Sequence, residues 1–336
     1  MEYNSGLFGL RLSHSLHFGH LVGNIRPAIK DQNERIVIVV LADLFTYTSD
    51  RRNDITVNNV LSMTAEAMSL GLDSHNVKFV IQSETFNSLS PLFTILSCLL
   101  KFSRLKTTKP ISRMLENDIY INFGELSFPI VQCAEMVSTN SEILYSNNDN
   151  LGIISLTKEL YRKLQNYTNT KLPIPKLCYG DFKNVLGINH RKMSQSKHNA
   201  IFVDDTIEII QKKITSIDTS KIQNGVDLQL LFDYFKIIGY SDSDISALNT
   251  DFDNNITTPK KVKCLLSAQI DNFFQPIREQ KQIYLDNKEF LIERINSDTQ
   301  DVRAIVEQNT NLILQNFYNT EFYSTFKNKS YETRNH

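Results

Sequence analysis

The stretch Ile36-Val-Ile-Val-Val-Leu-Ala42 decides the fold, because its apolar and mostly β-branched residues continue without a polar interruption. Such a run predicts a strand that is covered on both faces, as the inner strands of a parallel sheet are. Downstream, apolar residues at helical spacing predict a helix over 56–70 that ends at Gly71, and a second buried strand follows at 77–82. This alternation predicts an α/β fold whose ligands bind at the carboxyl ends of the strands.

The second half of the chain lacks such runs after a short predicted strand at 200–203. Asp205 is expected to cap the next helix, with Glu208 as its partner three residues later, and Pro276 is expected to end or kink a helix. Apolar periodicity predicts helices over 227–238, 260–275, 279–284, 288–295 and 299–317. We therefore predict a parallel-sheet α/β domain at 1–198, an all-helical domain at 199–318 and a polar tail at 319–336.

The composition is that of a globular protein without a strong charge bias. The 336 residues are 41% hydrophobic and 22% charged, with a formal net charge of −1. A disordered chain and a polybasic nucleic-acid binder are thus excluded, and DNA is not an expected partner. No apolar run is long enough for a membrane span, and residues 1–13 lack the pattern of a signal peptide. We expect a cytoplasmic protein with four buried, reduced thiols: Cys98, Cys133, Cys178 and Cys264.

A first motif, His17-Phe18-Gly19-His20, precedes a helix predicted over 21–29. Two histidines so spaced could be a metal pair, but a zinc site needs three or four ligands and no third lies nearby. Phosphate binding suits the motif better, because a glycine at a helix start lets a nucleotide approach the backbone, the helix N-terminus favours anions, and imidazoles donate hydrogen bonds.

A second motif, Arg191-Lys192-Met193-Ser194-Gln195-Ser196-Lys197, lies just before the strand predicted at 200–203. Lysines and hydroxyls on a mobile loop can clamp a pyrophosphate while charge develops on it. A run of this kind, taken alone, is also typical of a solvated basic loop.

In this order, the two motifs resemble the HIGH and KMSKS signatures of class I aminoacyl-tRNA synthetases. The resemblance is sharpest to the tryptophanyl-tRNA synthetase family and extends over nearly the whole chain. The similar segments are Leu16-His-Phe-Gly-His-Leu-Val-Gly23, Phe79-Val-Ile-Gln-Ser83, Phe128-Pro-Ile-Val-Gln-Cys-Ala-Glu135, Asn199-Ala-Ile-Phe202 and Phe274-Gln-Pro-Ile-Arg278.

The resemblance implies a Rossmann-like catalytic domain at 1–198, a helical tRNA-anticodon-binding domain at 199–318, and a homodimer. It also implies a two-step reaction. The carboxylate of tryptophan attacks the α-phosphate of ATP and releases pyrophosphate, and the aminoacyl group then passes to the 3′ end of tRNA. The implied partners are tRNA, tryptophan or a related amino acid, and ATP with Mg2+ bridging its phosphates, with no metal held by the protein itself.

Carried over residue by residue, the family's motifs give three groups of candidate site residues. The catalytic group is His17, His20, Lys192, Ser194 and Lys197. The ATP-binding group is Gly9, Arg11, Gly19, Asp149, Met193 and Ser196. The amino-acid-binding group is Leu7, Phe45, Phe128, Gln132, Glu135, Leu144, Ser146 and Asn150.

Two basic clusters are candidates for tRNA contacts. In the helical domain, Lys260, Lys261, Lys263 and Arg278 could bind tRNA phosphates. In the catalytic domain, the stretch Lys101, Arg104, Lys106, Lys109 and Arg113 is interpreted as a solvated basic face, and the family places a comparable region near the dimer surface and the acceptor stem.

Several departures from the family concentrate at the expected ATP site. Gln195 replaces the second lysine of the loop signature, a loss of roughly a hundredfold in rate by analogy with removing one preorganised donor. Lys197 could compensate. Asn147 and His14 stand where the family has glycines, and side chains there could intrude on the adenosine.

The amino-acid pocket departs from the family as well. Glu135 stands for the aspartate that reads the indole, Phe128 for a tyrosine, and Phe45 for a polar residue. Three hypotheses follow: a tryptophan–tRNA ligase or close relative, which we favour; a paralogue that activates another amino acid for a biosynthetic pathway; and a catalytically degenerate synthetase-like protein that binds tRNA or an adenylate.

Overall fold

The computed structural model describes residues 4–49, 55–116, 120–147, 150–180, 182, 184–221, 225–318, 322 and 325. Asp149 and most of the predicted tail at 319–336 lie outside these residues. The central strands are β1 (Ser5–Leu10), β2 (Ile36–Leu41), β3 (Val77–Ile81), β4 (Ser141–Tyr145) and β5 (Lys176–Cys178). They form one sheet in the order β3-β2-β1-β4-β5 with every neighbouring pair parallel, which confirms the predicted fold class.

Strand β2 lies inside the sheet as its sequence predicts. Val37, Val39 and Leu41 pack into one hydrophobic cluster, and Ile38 and Val40 pack into another on the opposite face. The strand order reverses at β1, because the chain passes to β2 and β3 on one side and only later to β4 and β5 on the other. Such a reversal opens a crevice at the carboxyl ends of β1 and β4, where ligands of open α/β sheets bind.

Helices cover the sheet between the strands. Thr56 caps the helix at Val57–Ser69 by accepting a hydrogen bond from the Asn59 amide. The helix predicted over 21–29 is divided between a π-turn at Leu21–Ile25 and an α-helix at Arg26–Asp31. The helices of this half are α1 (Phe18–His20), α2 (Arg26–Asp31), α3 (Asp43–Ser49), α4 (Val57–Ser69), α5 (Gln82–Leu99), α6 (Phe102–Lys106), α7 (Lys109–Glu116), α8 (Phe123–Ser138) and α9 (Leu151–Thr168).

The second half is helical apart from a two-stranded ribbon formed by β6 (Ser220–Lys221) and β7 (Gly225–Val226). Its helices are α10 (Ile207–Thr215), α11 (Gln229–Ile237), α12 (Asp242–Asp253), α13 (Pro259–Asp286) and α14 (Lys288–Phe317). The predicted break at Pro276 is wrong, because α13 runs through it. The predicted division between 295 and 299 is also wrong, since α14 is one helix.

The segment that joins the two halves differs from its prediction. Residues 200–203 do not pair as a sheet strand; their pairing is an isolated antiparallel bridge between Phe202 and His17. Asp205 does not cap α10, because Thr206 takes the N-cap position. The Asp205 carboxylate instead accepts hydrogen bonds from the Phe202 amide at 2.8 Å and from Lys213 at 2.6 Å. This segment is therefore tied to the histidine motif.

The four cysteines are free thiols with different environments. Cys133 is buried and Cys178 is half-buried, but Cys98 and Cys264 are exposed, so the prediction of four buried thiols is wrong for these two. None of the described helices is both long enough and apolar enough to cross a membrane.

Candidate active site

A cavity of about 400 Å³ lies at the carboxyl ends of β1, β2 and β4. Its wall includes Gly9 near the end of β1 and Arg11 just beyond it. Ala42, just beyond β2, and Ser146, just beyond β4, also line it. Ten predicted site residues line it: Gly9, Arg11, His20, Phe45, Phe128, Gln132, Glu135, Leu144, Ser146 and Asn150. The cavity therefore occupies the crevice at which α/β sheets bind ligands.

The structure does not bring all predicted residues to this wall. The side chains of Leu7 and Met193 belong to the hydrophobic core, so a role of these two residues in ligand binding stays a prediction that would fall to their backbone groups. Asp149 and the side chain of Ser196 lie outside the described part of the chain. The predicted residues that are described but do not line the cavity are Leu7, His17, Gly19, Lys192, Met193, Ser194 and Lys197.

The two histidines of the first motif form a stacked pair, with ring centroids 3.9 Å apart. The Gly19 amide donates to His17 Nδ1 at 3.0 Å, and the His17 amide donates to His20 Nδ1 at 3.3 Å. Because each Nδ1 accepts, each neutral ring carries its proton on Nε2. Burial lowers the pKa of His17 to about 2 and that of His20 to about 4, aided by the neighbouring ring and by Arg11 respectively. Both rings are therefore neutral hydrogen-bond donors.

Two predicted glycines serve different purposes. At Gly9 a Cβ would meet only the Val40 carbonyl oxygen, at 3.9 Å, so the β1 backbone is open to a ligand at this point. At Gly19 a Cβ would come within 2.7 Å of the His17 ring. A side chain at position 19 would therefore displace the His17 imidazole, which caps the same helix.

The second motif forms a loop at 191–197, here called the lysine loop. The side chain of Asn199, which is 1% exposed, supports this loop. Its Oδ1 accepts from the Ser194 amide at 2.8 Å, and its Nδ2 donates to the Lys192 carbonyl at 3.1 Å. Above it, Gln195 lines the cavity and donates to Ser13 Oγ at 3.2 Å. The residue that replaces the family's lysine therefore faces the predicted ATP site.

A basic rim surrounds this part of the cavity. Lys109 and Arg113, on α7, line it and are exposed, so the predicted solvated basic face also borders the cavity. Burial, together with the positive charges of Arg113, Lys109 and Lys197, lowers the pKa of Lys192 to about 8. Positive side chains gathered on one cavity wall favour the binding of an anion such as a phosphate chain, and Glu125 is a carboxylate on the same wall.

A buried carboxylate marks another part of the wall. Glu135 is 6% exposed and accepts a hydrogen bond from Gln82 Nε2 at 2.7 Å. The Gln82 Oε1 accepts from the Phe45 amide at 3.1 Å, so the amide of Gln82 is fixed from both sides. Burial raises the pKa of Glu135 to about 7, and the hydrogen bond from Gln82 moderates the rise. Glu135 is thus an acceptor available to a ligand N–H group.

Two aromatic rings stand beside this carboxylate. Phe45 and Phe128 are stacked, with ring centroids 3.3 Å apart and planes inclined by 16°. The Arg11 guanidinium lies 4.2 Å from the centroid of Phe45, a cation–π arrangement. Since these rings and Glu135 all line the cavity, they provide a flat apolar surface next to a hydrogen-bond acceptor.

The two side chains that replace family glycines are placed differently. His14 lines the cavity, as the sequence suggested. Asn147 does not line it; its amide fills the space that a Cβ at Gly23 would need, and its Oδ1 is buried without a hydrogen-bond partner among the described residues. Asn147 therefore packs between β4 and the helix that follows the histidines.

Within the described residues, no three His, Cys, Asp or Glu side chains are grouped closely enough to hold a metal ion. The family model of the class I tRNA synthetases (W and Y) matches residues 7–291 of the chain. The chain belongs to this family. The resemblance that the sequence motifs suggested is thereby confirmed.

Individual class I synthetases are similar to this one over almost their full length. The tryptophan–tRNA ligase of Borreliella burgdorferi is 27% identical over 317 residues, covering 90% of each chain. That of Chlamydia caviae is 24% identical, covering 90% of this chain and 92% of its own. The structure of Campylobacter jejuni tryptophanyl-tRNA synthetase complexed with ADP and tryptophan has a TM-score of 0.77 at 20% identity, covering 96% of this chain and 99% of its own. This last likeness shows a shared fold.

The structure shows four site residues that the sequence alone did not suggest: Gln82, Asn199, Lys109 and Arg113. Gln82 and Asn199 fall within segments that resemble the family, and the signal for them is a polar residue that follows a buried strand or precedes an apolar segment. Lys109 and Arg113 had no such signal, because their approach to the cavity depends on how α7 is placed.

Two cations predicted to bind tRNA are instead used inside the synthetase fold. Lys263 Nζ donates to the carbonyls of Thr215 and Ile217 at 3.1 and 2.6 Å. Arg278 donates to the carbonyls of Val203 and Asp205 at 3.3 and 3.1 Å. Both side chains are thus engaged within the chain, and their predicted phosphate contacts stay a prediction.

Proposed function

We propose that the protein activates tryptophan with ATP and transfers it to tRNA. One observation carries the proposal: a single cavity combines neutral imidazole and cationic groups with a buried carboxylate beside stacked aromatic rings. The first set of groups suits a triphosphate, and the second suits an aromatic amino acid with a ring N–H. The similarity to tryptophan–tRNA ligases along 90% of the chain supports the same conclusion.

In the proposed first step, a carboxylate oxygen of tryptophan attacks the α-phosphorus of ATP. The bond from that phosphorus to the bridging oxygen breaks, and pyrophosphate leaves with the electron pair. The Nε2–H groups of His17 and His20 donate to phosphate oxygens, while Lys192 and the rim cations offset the charge on the leaving group. Mg2+ accompanying ATP would supply further neutralisation of the phosphate charge. No protein nucleophile is needed, because positioning and charge neutralisation supply the catalysis.

At the amino-acid end, we propose that Glu135 accepts the ring N–H of the substrate while Phe45 and Phe128 contact the ring face. A buried acceptor discriminates strongly, because a substrate without the N–H would leave it unpaired. Activation of a related amino acid is the second candidate, and one observation supports it: Phe45 and Phe128 stack closely on each other in the pocket. A ring must either part them or lie along their edge.

The test is amino-acid-dependent ATP–pyrophosphate exchange with all twenty amino acids and a set of indole analogues. Exchange with tryptophan, followed by charging of tryptophan tRNA, is the expected result. Exchange with another amino acid would move the proposal to the paralogue. Silence throughout, with no stabilisation of the fold by ATP in a thermal scan, would contradict both enzyme proposals and favour the degenerate binding protein.

We also propose that residues 1–198 form the catalytic domain and residues 199–318 the tRNA-binding domain. With Lys263 and Arg278 used internally, the phosphate contacts fall to the exposed Lys260 and Lys261. Since ATP and tRNA are substrates of the cytoplasm, we propose that the protein acts there.

A homodimer is the proposed assembly, and an exposed apolar patch supports it. Tyr47 on α3 is 60% exposed, and Phe123 at the start of α8 is 78% exposed. The two helix ends are adjacent, because Asn122 Nδ2 donates to the Thr48 carbonyl at 2.8 Å. Exposed aromatic side chains so grouped are typical of an interface. Light scattering should give a molar mass of twice the chain mass, and Tyr47→Asp should reduce the measured mass to that of a single chain.

A further inference from the structure

Three charged side chains form a network away from the cavity, in which Lys281 and Glu66 are buried and Asp204 is 47% exposed. Glu66 on α4 is 1% exposed, and Lys281 on α13 is 6% exposed. Lys281 Nζ donates to Glu66 Oε2 at 2.7 Å and to Asp204 Oδ2 at 2.6 Å. Burial lowers the pKa of Lys281, but the two carboxylates outweigh it and raise that pKa above its ordinary value. None of the three lines the cavity, so the first-step chemistry described above does not use them.

The network ends on the backbone next to the histidine motif. Glu66 Oε1 accepts from the Leu16 amide at 2.6 Å and from Ser15 Oγ at 2.7 Å. These two residues immediately precede His17, whose ring caps α1. A displacement of Glu66 would therefore move the backbone immediately before His17, and with it the stacked pair of His17 and His20.

The same network holds the segment that leaves the lysine loop. The Val203 amide donates to the Leu16 carbonyl at 2.9 Å, and the Asp204 amide donates to Ser15 Oγ at 3.3 Å. One turn before Lys281 on α13, Arg278 donates to the carbonyls of Val203 and Asp205. Residues three apart on a helix share a face, so one face of α13 contacts residues 203–205 directly and residues 15–16 through Glu66.

We propose that Lys281, assisted by Arg278, is a positioning residue that fixes the histidine motif relative to the lysine loop. The inference rests on the proposed function, because the two motifs are the parts that hold the phosphates of ATP. The two motifs are far apart in the chain. Backbone and side-chain hydrogen bonds between residues 15–18 and 201–205 hold the segments beside them together. Lys281 connects these ties to α13, so the helical half of the chain sets the geometry of the ATP site.

The consequence is expected on turnover more than on amino-acid binding. Misplacing a catalytic group by about 1 Å can cost roughly a hundredfold in rate. Phe45, Phe128 and Glu135 belong to α3 and α8, which the network does not contact through any of its hydrogen bonds given above. Loss of Lys281 should thus lower kcat while the KM for tryptophan changes by less than about twofold.

The test compares Lys281→Met with a matched control, Arg294→Met. Arg294 on α14 also belongs to a buried ionic network, since its Nε donates to Asp298 at 2.6 Å and the Asp298 carboxylate accepts from the Phe79 amide at 3.1 Å. That network ties α14 to β3 and touches neither motif. Lys281→Met leaves the buried Glu66 carboxylate without its cation, which is strongly destabilising. Arg294→Met removes one of two cations from the buried Asp298 carboxylate, because Lys78 Nζ stays 3.3 Å from it, so its structural cost is smaller and rates are compared per amount of folded protein.

Two readouts decide the matter on the full-length protein. In pyrophosphate exchange, normalised to folded protein, Lys281→Met should lose about a hundredfold in kcat, Lys281→Arg should recover most of it, and Arg294→Met should stay within about twofold. In hydrogen exchange, Lys281→Met should deprotect the amides of Leu16 and Val203, whereas Arg294→Met should deprotect that of Phe79. Equal kinetic losses in the two variants, or unchanged protection at Leu16 and Val203, would overturn the proposal.

Folding failure and failure of the proposed function are kept separate. If Lys281→Met does not fold, the pair Lys281→Met with Glu66→Gln removes both charges and leaves an amide oxygen for the Leu16 amide. This double variant should fold, lose protection at Val203 and lose kcat; normal kcat and protection would overturn the proposal. If the wild-type protein shows no exchange with any amino acid, the hydrogen-exchange comparison still tests the positioning role, because it needs no activity.

Discussion

Replacing Glu135 by glutamine should stabilise the protein, and should do so only where the carboxylate is ionised. The side chain is 6% exposed, and the hydrogen bond from Gln82 at 2.7 Å is its polar contact within the described residues. A glutamine has the same length, and its amide oxygen can accept that same hydrogen bond. The substitution therefore removes a buried charge and little else.

The magnitude follows from the pKa. Burial raises the pKa of Glu135 from 4.5 to about 7, a difference that corresponds to about 3 kcal/mol between the two protonation states. Because the folded-state pKa is the higher one, the associated stability is fully present below about pH 4.5 and is lost as the pH rises through about 7. Glu135→Gln should thus match the wild type near pH 4.5 and exceed it by about 3 kcal/mol at pH 8.

The assay is urea-induced unfolding at several pH values between 4.5 and 8.5, with Glu142→Gln on β4 as the control for loss of a carboxylate outside the cavity. A difference between Glu135→Gln and wild type that does not change with pH would refute the reasoning. So would a less stable variant at pH 8. In exchange assays the same substitution should raise the KM for tryptophan, since a neutral amide is a weaker acceptor of the ring N–H than a carboxylate.

Two further predictions concern the basic rim. Arg113→Ala should lower the rate of pyrophosphate exchange by roughly a hundredfold, the loss typical of one preorganised donor, while Lys106→Ala on the neighbouring α6, outside the cavity wall, should leave it unchanged; equal effects would contradict a role for the rim. Because the pKa of Lys192 is about 8, exchange should decline as the pH rises above that value, and Lys192→Arg should retain activity at pH 9; parallel pH profiles would contradict the assignment.

The sequence allowed prediction of those features that depend on neighbouring residues. Strand β2 follows from its own uninterrupted β-branched run, and the histidine motif carries both its cap and its ring pair within four residues. The lysine loop was found for the same reason. The predicted break at Pro276 failed because a proline interior to a long helix is tolerated when packing on both sides compensates for the lost hydrogen bond, and here Ile270 and Phe274 are buried before it and Lys281 after it.

Features that depend on distant residues were not predictable from one sequence. Glu135 and Gln82 are far apart in the chain, and nothing in either segment indicates that the amide of one fixes the carboxylate of the other. Lys263 and Arg278 looked like solvated cations, but both donate to backbone carbonyls from other segments. Long cationic side chains have enough reach to serve either purpose, and sequence spacing does not distinguish them.

We expect the placement of cations to compensate for the missing second lysine of the loop. A lysine at position 195 would sit on a loop, and ordering that loop around a phosphate costs conformational entropy. Arg113 lies on α7 and already faces the cavity, so its charge is held by a helix before ATP arrives. Charges that are fixed in advance need no reorganisation when the leaving group forms. Restoring lysine in Gln195→Lys should therefore add little to the wild type but should rescue Arg113→Ala, and independent effects of the two substitutions would contradict this compensation.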